Sequence, residues 1–180
     1  MTAKSLTLVV GGARSGKSRY AQELATGFDE VVFLATAQPS DAEMKAKIER
    51  HRNERPSAWK TVEVPFDLDR AIDQHGKSSR FLIVDCLTTY TANLFVVKQE
   101  SCQAIMDRID SVCRALLSTQ SSVALISNEV GGGIVPEFAS GRAFRDLLGE
   151  VNQRVARICH NLVLMVAGYP LPIKSGGQPS

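Results

Sequence analysis

Leu6-Thr7-Leu8-Val9-Val10 runs directly into Gly11-Gly12-Ala13-Arg14-Ser15-Gly16-Lys17-Ser18, and this junction decides the fold. The first five residues are an apolar, β-branched run suited to a buried strand. The next eight have the spacing Gly-x-x-x-x-Gly-Lys-Ser of a phosphate-binding loop. Only a glycine-rich turn lets successive backbone N–H groups close around phosphate oxygens at a helix N-terminus. Lys17 adds a point charge for the β- and γ-phosphates, and the Ser18 hydroxyl can ligate Mg²⁺. Helix-forming residues follow as Arg19-Tyr20-Ala21-Gln22-Glu23-Leu24-Ala25, which completes a strand–loop–helix unit. A nucleoside triphosphate is the expected ligand.

Outward from this unit, short apolar runs recur at residues 31–36, 81–85, 123–127 and 162–167, with a weaker one at 61–64. Helical stretches separate them, the βαβ pattern of an α/β, mostly parallel sheet flanked by helices. The clearest helix starts at Ser101 and places Cys102, Ile105, Met106, Ile109, Val112, Cys113, Leu116 and Leu117 on one stripe. Phe144, Leu147, Leu148, Val151, Val155 and Ile158 repeat that pattern in the last long helix. The expectation is a single domain over 1–180, with the Pro-, Gly- and Ser-rich residues 170–180 as a loose tail.

Composition excludes several classes of function. With 180 residues, 44% of them hydrophobic, the chain can bury a substantial core. A net charge of +2 without a basic block, and 6% aromatics, leave no footprint for nucleic acid. Cys86, Cys102, Cys113 and Cys159 lie far apart with no Cys-x-x-Cys, which suits reduced thiols, those of Cys102 and Cys113 in the core, and not a metal site. The N-terminus has no signal-peptide pattern, and the longest apolar stretch, 162–167, is too short to span a bilayer. A cytoplasmic protein is expected.

Ligands of such sheets bind at the carboxyl ends of the strands. Asp85 ends its strand as a Walker B carboxylate would, within reach of Mg²⁺, although a helix N-cap is the competing reading. Thr36 ends another strand, and Asn128-Glu129 precedes the flexible Gly131-Gly132-Gly133. A further helix is expected from Ser40, which forms a capping box with Glu43, to about Asn53, before Pro56. Met44, Ile48 and His51 share a face of it. On pattern alone His51 is a half-buried packing residue, yet Arg50, Arg52 and Arg55 around it suit a grip on phosphates. A neutral imidazole there is also a competent nucleophile toward phosphorus.

The segments GGARSGKS (11–18), FLATAQ (33–38), IERHRNERP (48–56), VDCLT (84–88), NEVGGGIVPE (128–137) and FRDLLGEVNQ (144–153) resemble one family in order through nearly the whole chain. It is the bifunctional adenosylcobinamide kinase/adenosylcobinamide-phosphate guanylyltransferase family of cobalamin biosynthesis. The resemblance implies a RecA-like P-loop NTPase fold, GTP and ATP as nucleotides, Mg²⁺, and a corrinoid, adenosylcobinamide, as acceptor. It also implies that His51 carries GMP between GTP and the phosphorylated acceptor. Matched to the family's nucleotide contacts are the phosphate loop, Ala35-Thr36-Ala37, Arg52, Asn53, Glu54, Arg55, Glu63 and Asp85. Some relatives have paired histidines at Arg50-His51 and some have Glu at Asp85, so His51 is the one candidate nucleophile here. The expected assembly is a homo-oligomer, taken as a trimer.

Other readings make distinct demands. A small-metabolite kinase needs His51 only for packing. A GTPase switch needs an Asn-Lys-x-Asp motif, which the sequence lacks, and the Asp-x-x-Gly match at residues 146–149 sits in a helical pattern. A nucleic-acid motor needs a basic surface.

Overall fold

Parallel pairing dominates the computed structural model, which describes residues 4–39, 55–78 and 80–176. The chain runs β1 (Leu6–Gly11), α1 (Lys17–Leu24), β2 (Val31–Ala35), β3 (Lys60–Glu63), α2 (Leu68–His75), β4 (Phe81–Asp85) and α3 (Leu87–Ala92). A π-helical turn, Asn93–Val97, leads to α4 (Cys102–Ser118), β5 (Ser122–Asn128), α5 (Ala139–Ile158), β6 (Asn161–Val166) and β7 (Tyr169–Lys174). The strands form one seven-stranded sheet in the order β3-β2-β4-β5-β1-β6-β7. Only β7 is antiparallel to its neighbour. Every apolar run expected to be a strand is one, with ends shifted by a residue or so.

Alternation along the strands divides the core between the two faces of the sheet. Leu6, Leu8, Val32, Leu34, Leu82, Val84, Val123 and Leu125 pack on one face with Ile72 of α2, Ile109 of α4 and Val151 of α5. Val31, Phe33, Phe81, Ile83, Ala124 and Ile126 pack on the other with Ala21 of α1 and Ala25, which caps it. Leu34 and Leu82 are fully buried, so truncating either to Ala removes about 2–5 kcal/mol.

The expected start of α4 is observed: Ser101 Oγ accepts a hydrogen bond from the Ala104 N–H at 3.2 Å. Burial along its stripe, however, begins one turn in, at Ile105. Cys102, expected in the core, is therefore exposed, whereas Cys113 and Cys159 are buried.

The loose tail expected over 170–180 is corrected over its first residues, because Tyr169–Lys174 is strand β7. Two prolines in a strand argued against that assignment. Pro170 and Pro172 are two residues apart on an edge strand, so both missing N–H groups fall on the side facing away from β6. Ala167 (φ 50°) and Gly168 (φ 89°) form the two-residue turn between β6 and β7, with the positive φ values that match the twist of a hairpin. Lys174 Nζ then donates to the carbonyls of Ala156 and Arg157 at 3.4 and 3.3 Å, closing the end of α5.

Candidate active site

Strand register assembles the site. Gly11 pairs with Asn128 of β5 and Met165 of β6, and Ala35 pairs with Asp85 of β4 and Glu63 of β3. Because these strands are parallel, residues distant in sequence arrive together at one carboxyl edge.

The phosphate loop sits at the end of β1. Gly16, with φ 95°, is the N-cap of α1 and supplies a left-handed backbone that other residues disfavour. At Gly11 a Cβ would stand 2.6 Å from the Met165 carbonyl oxygen and 2.7 Å from Ser15 Oγ, so no side chain fits. Gly12, Ala13 and Arg14 are exposed at the crest, whereas Ser15 and Lys17 are buried. Lys17 Nζ donates to the carbonyls of Gly11 at 3.0 Å and Gly12 at 2.6 Å, which holds the ammonium inside the loop. Burial lowers its pKa, and the nearby Cys86 and Asp85 act in the opposite direction.

Ser18 Oγ donates to Asp85 Oδ2 at 3.0 Å, so the sequence-predicted pair does meet. The competing N-cap reading of Asp85 fails, because the cap of α3 is Cys86, whose Sγ accepts from the Thr89 N–H at 3.4 Å. A hydroxyl and a carboxylate side by side are hard oxygen donors that fit Mg²⁺, which keeps waters and substrate phosphates as its remaining ligands. Accordingly, among the described residues no cluster of three or more acidic, His or Cys side chains forms a closed metal cage.

Thr36 is fully buried. Its hydroxyl accepts from the Cys86 N–H and donates to the Cys86 carbonyl, both at 2.8 Å, while its own N–H bonds Asp85 O at 3.1 Å. Its side chain thus clamps the backbone that carries Asp85. Asn93, in the π-helical turn, donates to the carbonyls of Thr36 at 2.8 Å and Pro65 at 3.1 Å. Ala35 and Ala37 are partly buried beside it, and Glu63 is exposed at the end of β3. The Arg55 guanidinium lies over the Phe33 ring at 3.4 Å and bonds Thr61 Oγ1 at 3.4 Å. His51, Arg50, Arg52, Asn53 and Glu54, with the helix expected from Ser40, lie outside the described residues.

One supporting residue escaped the sequence reading of the site. The Gly168 N–H donates to Ser15 O at 3.0 Å, so the β6–β7 turn buttresses the phosphate loop. The Ala167-Gly168 pair was its only local signal. The Glu129 N–H donates to Gly11 O at 3.0 Å, and its Oε1 accepts from the Gly131 N–H at 2.7 Å. Between the phosphate loop, the glycine segment and the end of β6 lies a cavity of 410 Å³.

Comparisons with known proteins agree with this geometry. The family described as cobinamide kinase / cobinamide phosphate guanyltransferase matches residues 7–173. The bifunctional adenosylcobalamin biosynthesis protein CobU of Escherichia coli K12 is 39% identical over 180 residues, covering 94% of this chain and 99% of that one. Its counterpart CobP of Pseudomonas aeruginosa is 37% identical, covering 96% and 98%. Among solved structures, a protein of Pyrococcus horikoshii OT3 covers 100% of this chain and 93% of its own at 8% identity, with TM-score 0.60. A type III secretion ATPase covers 89% and 50% at 10% identity, with TM-score 0.53. These two share the fold alone. With a phosphate loop, a serine–carboxylate pair at the neighbouring strand end and a match along nearly its whole length, the chain belongs to the cobinamide kinase/cobinamide phosphate guanyltransferase family.

Proposed function

We propose that this chain carries out two successive transfers onto a corrinoid. First, the aminopropanol hydroxyl of adenosylcobinamide attacks the γ-phosphorus of ATP or GTP, and the nucleoside diphosphate leaves. Second, a His51 ring nitrogen attacks the α-phosphorus of GTP and releases pyrophosphate. The phosphate of adenosylcobinamide phosphate then takes GMP from His51, giving adenosylcobinamide-GDP. The cluster of Lys17, Ser18 and Asp85 in a chain of this family is the observation that carries the reading.

Residues 11–18 hold the phosphates through backbone N–H groups, and Lys17 turns from the loop carbonyls toward phosphate oxygens when nucleotide arrives. Ser18 and Asp85 are the residues that would hold Mg²⁺, which supplies charge neutralisation when bound. Arg52, Asn53, Glu54, Arg55, Glu63 and residues 35–37 contact the guanine nucleotide. The enzyme works in the cytoplasm as a homo-oligomer, taken as a trimer.

Intact-mass analysis after incubation with GTP and Mg²⁺, without corrinoid, tests the covalent step. Wild type gains the mass of GMP on a nitrogen, in a linkage labile to acid and stable to base, and loses it when adenosylcobinamide phosphate is added. The His51→Ala protein gains none and keeps kinase activity. An adduct that persists in His51→Ala, or product formation without any adduct in wild type, would refute the role of His51.

A further inference from the structure

Phosphorylating an alcohol requires a place for the hydroxyl beside the γ-phosphate and a group that takes its proton. Asp85 is engaged with Ser18 at 3.0 Å. Glu129 borders the loop as well. It leaves β5 beside β1, and its N–H shares the Gly11 carbonyl with Lys17 Nζ, each at 3.0 Å. The Glu129 N–H and the Lys17 ammonium are therefore fixed to one peptide oxygen. The carboxylate side chain is exposed, is held by the Gly131 N–H at 2.7 Å, and lines the 410 Å³ cavity. Among the described residues, the others lining that cavity are glycine, serine, methionine or aliphatic, so Glu129 is its one ionisable group there. Ser15 also lines it, and Ser15 Oγ is buried with no hydrogen-bond partner among the described residues. A buried hydroxyl left unpaired is expensive unless a ligand completes it.

We propose that this cavity, between the ends of β5 and β6 beside the phosphate loop, receives the hydroxyl end of the acceptor, and that Glu129 is the general base of the phosphorylation. The proposal rests on the kinase reading above. The acceptor oxygen forms a bond to the γ-phosphorus, and the bond from that phosphorus to the β-phosphate oxygen breaks. The nucleoside diphosphate leaves with the electron pair, and the hydroxyl proton passes to the Glu129 carboxylate. Ser15 Oγ hydrogen-bonds the incoming alcohol. The cavity is bounded by the segment after β5 on one side of β1 and by the end of β6 on the other, so it opens directly beside the phosphate loop.

Glu129→Gln separates base from loop support, because the amide oxygen can still accept from the Gly131 N–H. With adenosylcobinamide and ATP, its kinase kcat falls about 10²–10⁴-fold. Its GTP Kd and its formation of the GMP adduct stay within about threefold of wild type, and Glu129→Asp recovers part of the lost rate. Kinase activity of E129Q within about threefold of wild type overturns the assignment. So does a parallel fall in GTP affinity and adduct formation, which would make Glu129 a support of the loop. Failure of the wild-type protein to phosphorylate adenosylcobinamide overturns the kinase reading itself, whatever the variant does.

Discussion

Replacing Thr36 with Val isolates a pair of buried hydrogen bonds beside the carboxylate of the site. Val has nearly the shape of Thr, so no cavity opens, and the change reports on the hydroxyl alone. In the wild type that hydroxyl serves both the N–H and the carbonyl of Cys86 at 2.8 Å. The variant leaves the Cys86 N–H without its acceptor, a penalty of about 1–3 kcal/mol. The Cys86 carbonyl retains the Tyr90 N–H at 3.0 Å, so its loss is the smaller ~0.5–1 kcal/mol of one net hydrogen bond. The sum is about 1.5–4 kcal/mol, or roughly 3–16 °C in Tm for a chain of this length. Urea titration of Thr36→Val should show a lower midpoint at an unchanged slope. Thr36→Ser keeps the hydroxyl and loses one methyl, for about 1 kcal/mol. A Thr36→Val protein within about 0.5 kcal/mol of wild type, or a Ser variant as damaged as the Val one, would refute the argument.

Lys17→Ala removes charge-assisted contacts that backbone amides cannot replace, so GTP affinity measured by calorimetry should fall about 10–100-fold with both transfers lost. The fold, followed by circular dichroism, should persist. Asp85→Ala should lower phosphoryl and guanylyl transfer at fixed Mg²⁺ far more than it lowers the urea midpoint; full activity with an unaltered Mg²⁺ requirement would remove Asp85 from the metal site. Burial pushes the Cys113 thiol up to about 11 and the Cys159 thiol up to about 12. An aromatic disulfide reagent at pH 8 should therefore label exposed Cys102 in the native protein and reach Cys113 and Cys159 only in denaturant. Both thiols are held neutral in the fold and ionise near the ordinary thiol value of 9.0 in the unfolded chain. Raising the pH above that value thus favours unfolding, and the urea midpoint should drop from about pH 9 until the folded values of about 11 and about 12 are passed.

The sequence by itself determined the parts that depend on local chemistry. A glycine-rich turn between an apolar run and a helix can do little besides close on phosphate, and buried parallel strands must be continuous apolar runs, so β1, β2, β4, β5 and β6 were all legible. The helical stripe of α4 was legible from Ile105 onward for the same reason, whereas the exposure of Cys102 depended on where the helix overlies the sheet. Strand order was decided only in three dimensions. The placement of β5 between β1 and β4 brings Asp85 within reach of Ser18, 67 positions away, and hangs Glu129 from Gly11. Strand β7 was hidden because proline statistics count against a strand, and only a position at the sheet edge makes Pro170 and Pro172 harmless. Thr36 ended an apolar run and so marked a place at the carboxyl edge, but its inward hydroxyl and its hold on Cys86 come from the cross-strand partner that folding supplies. Residue types disclose which chemistry is available; packing decides which of those groups face one another, because a side chain's partners lie on other strands.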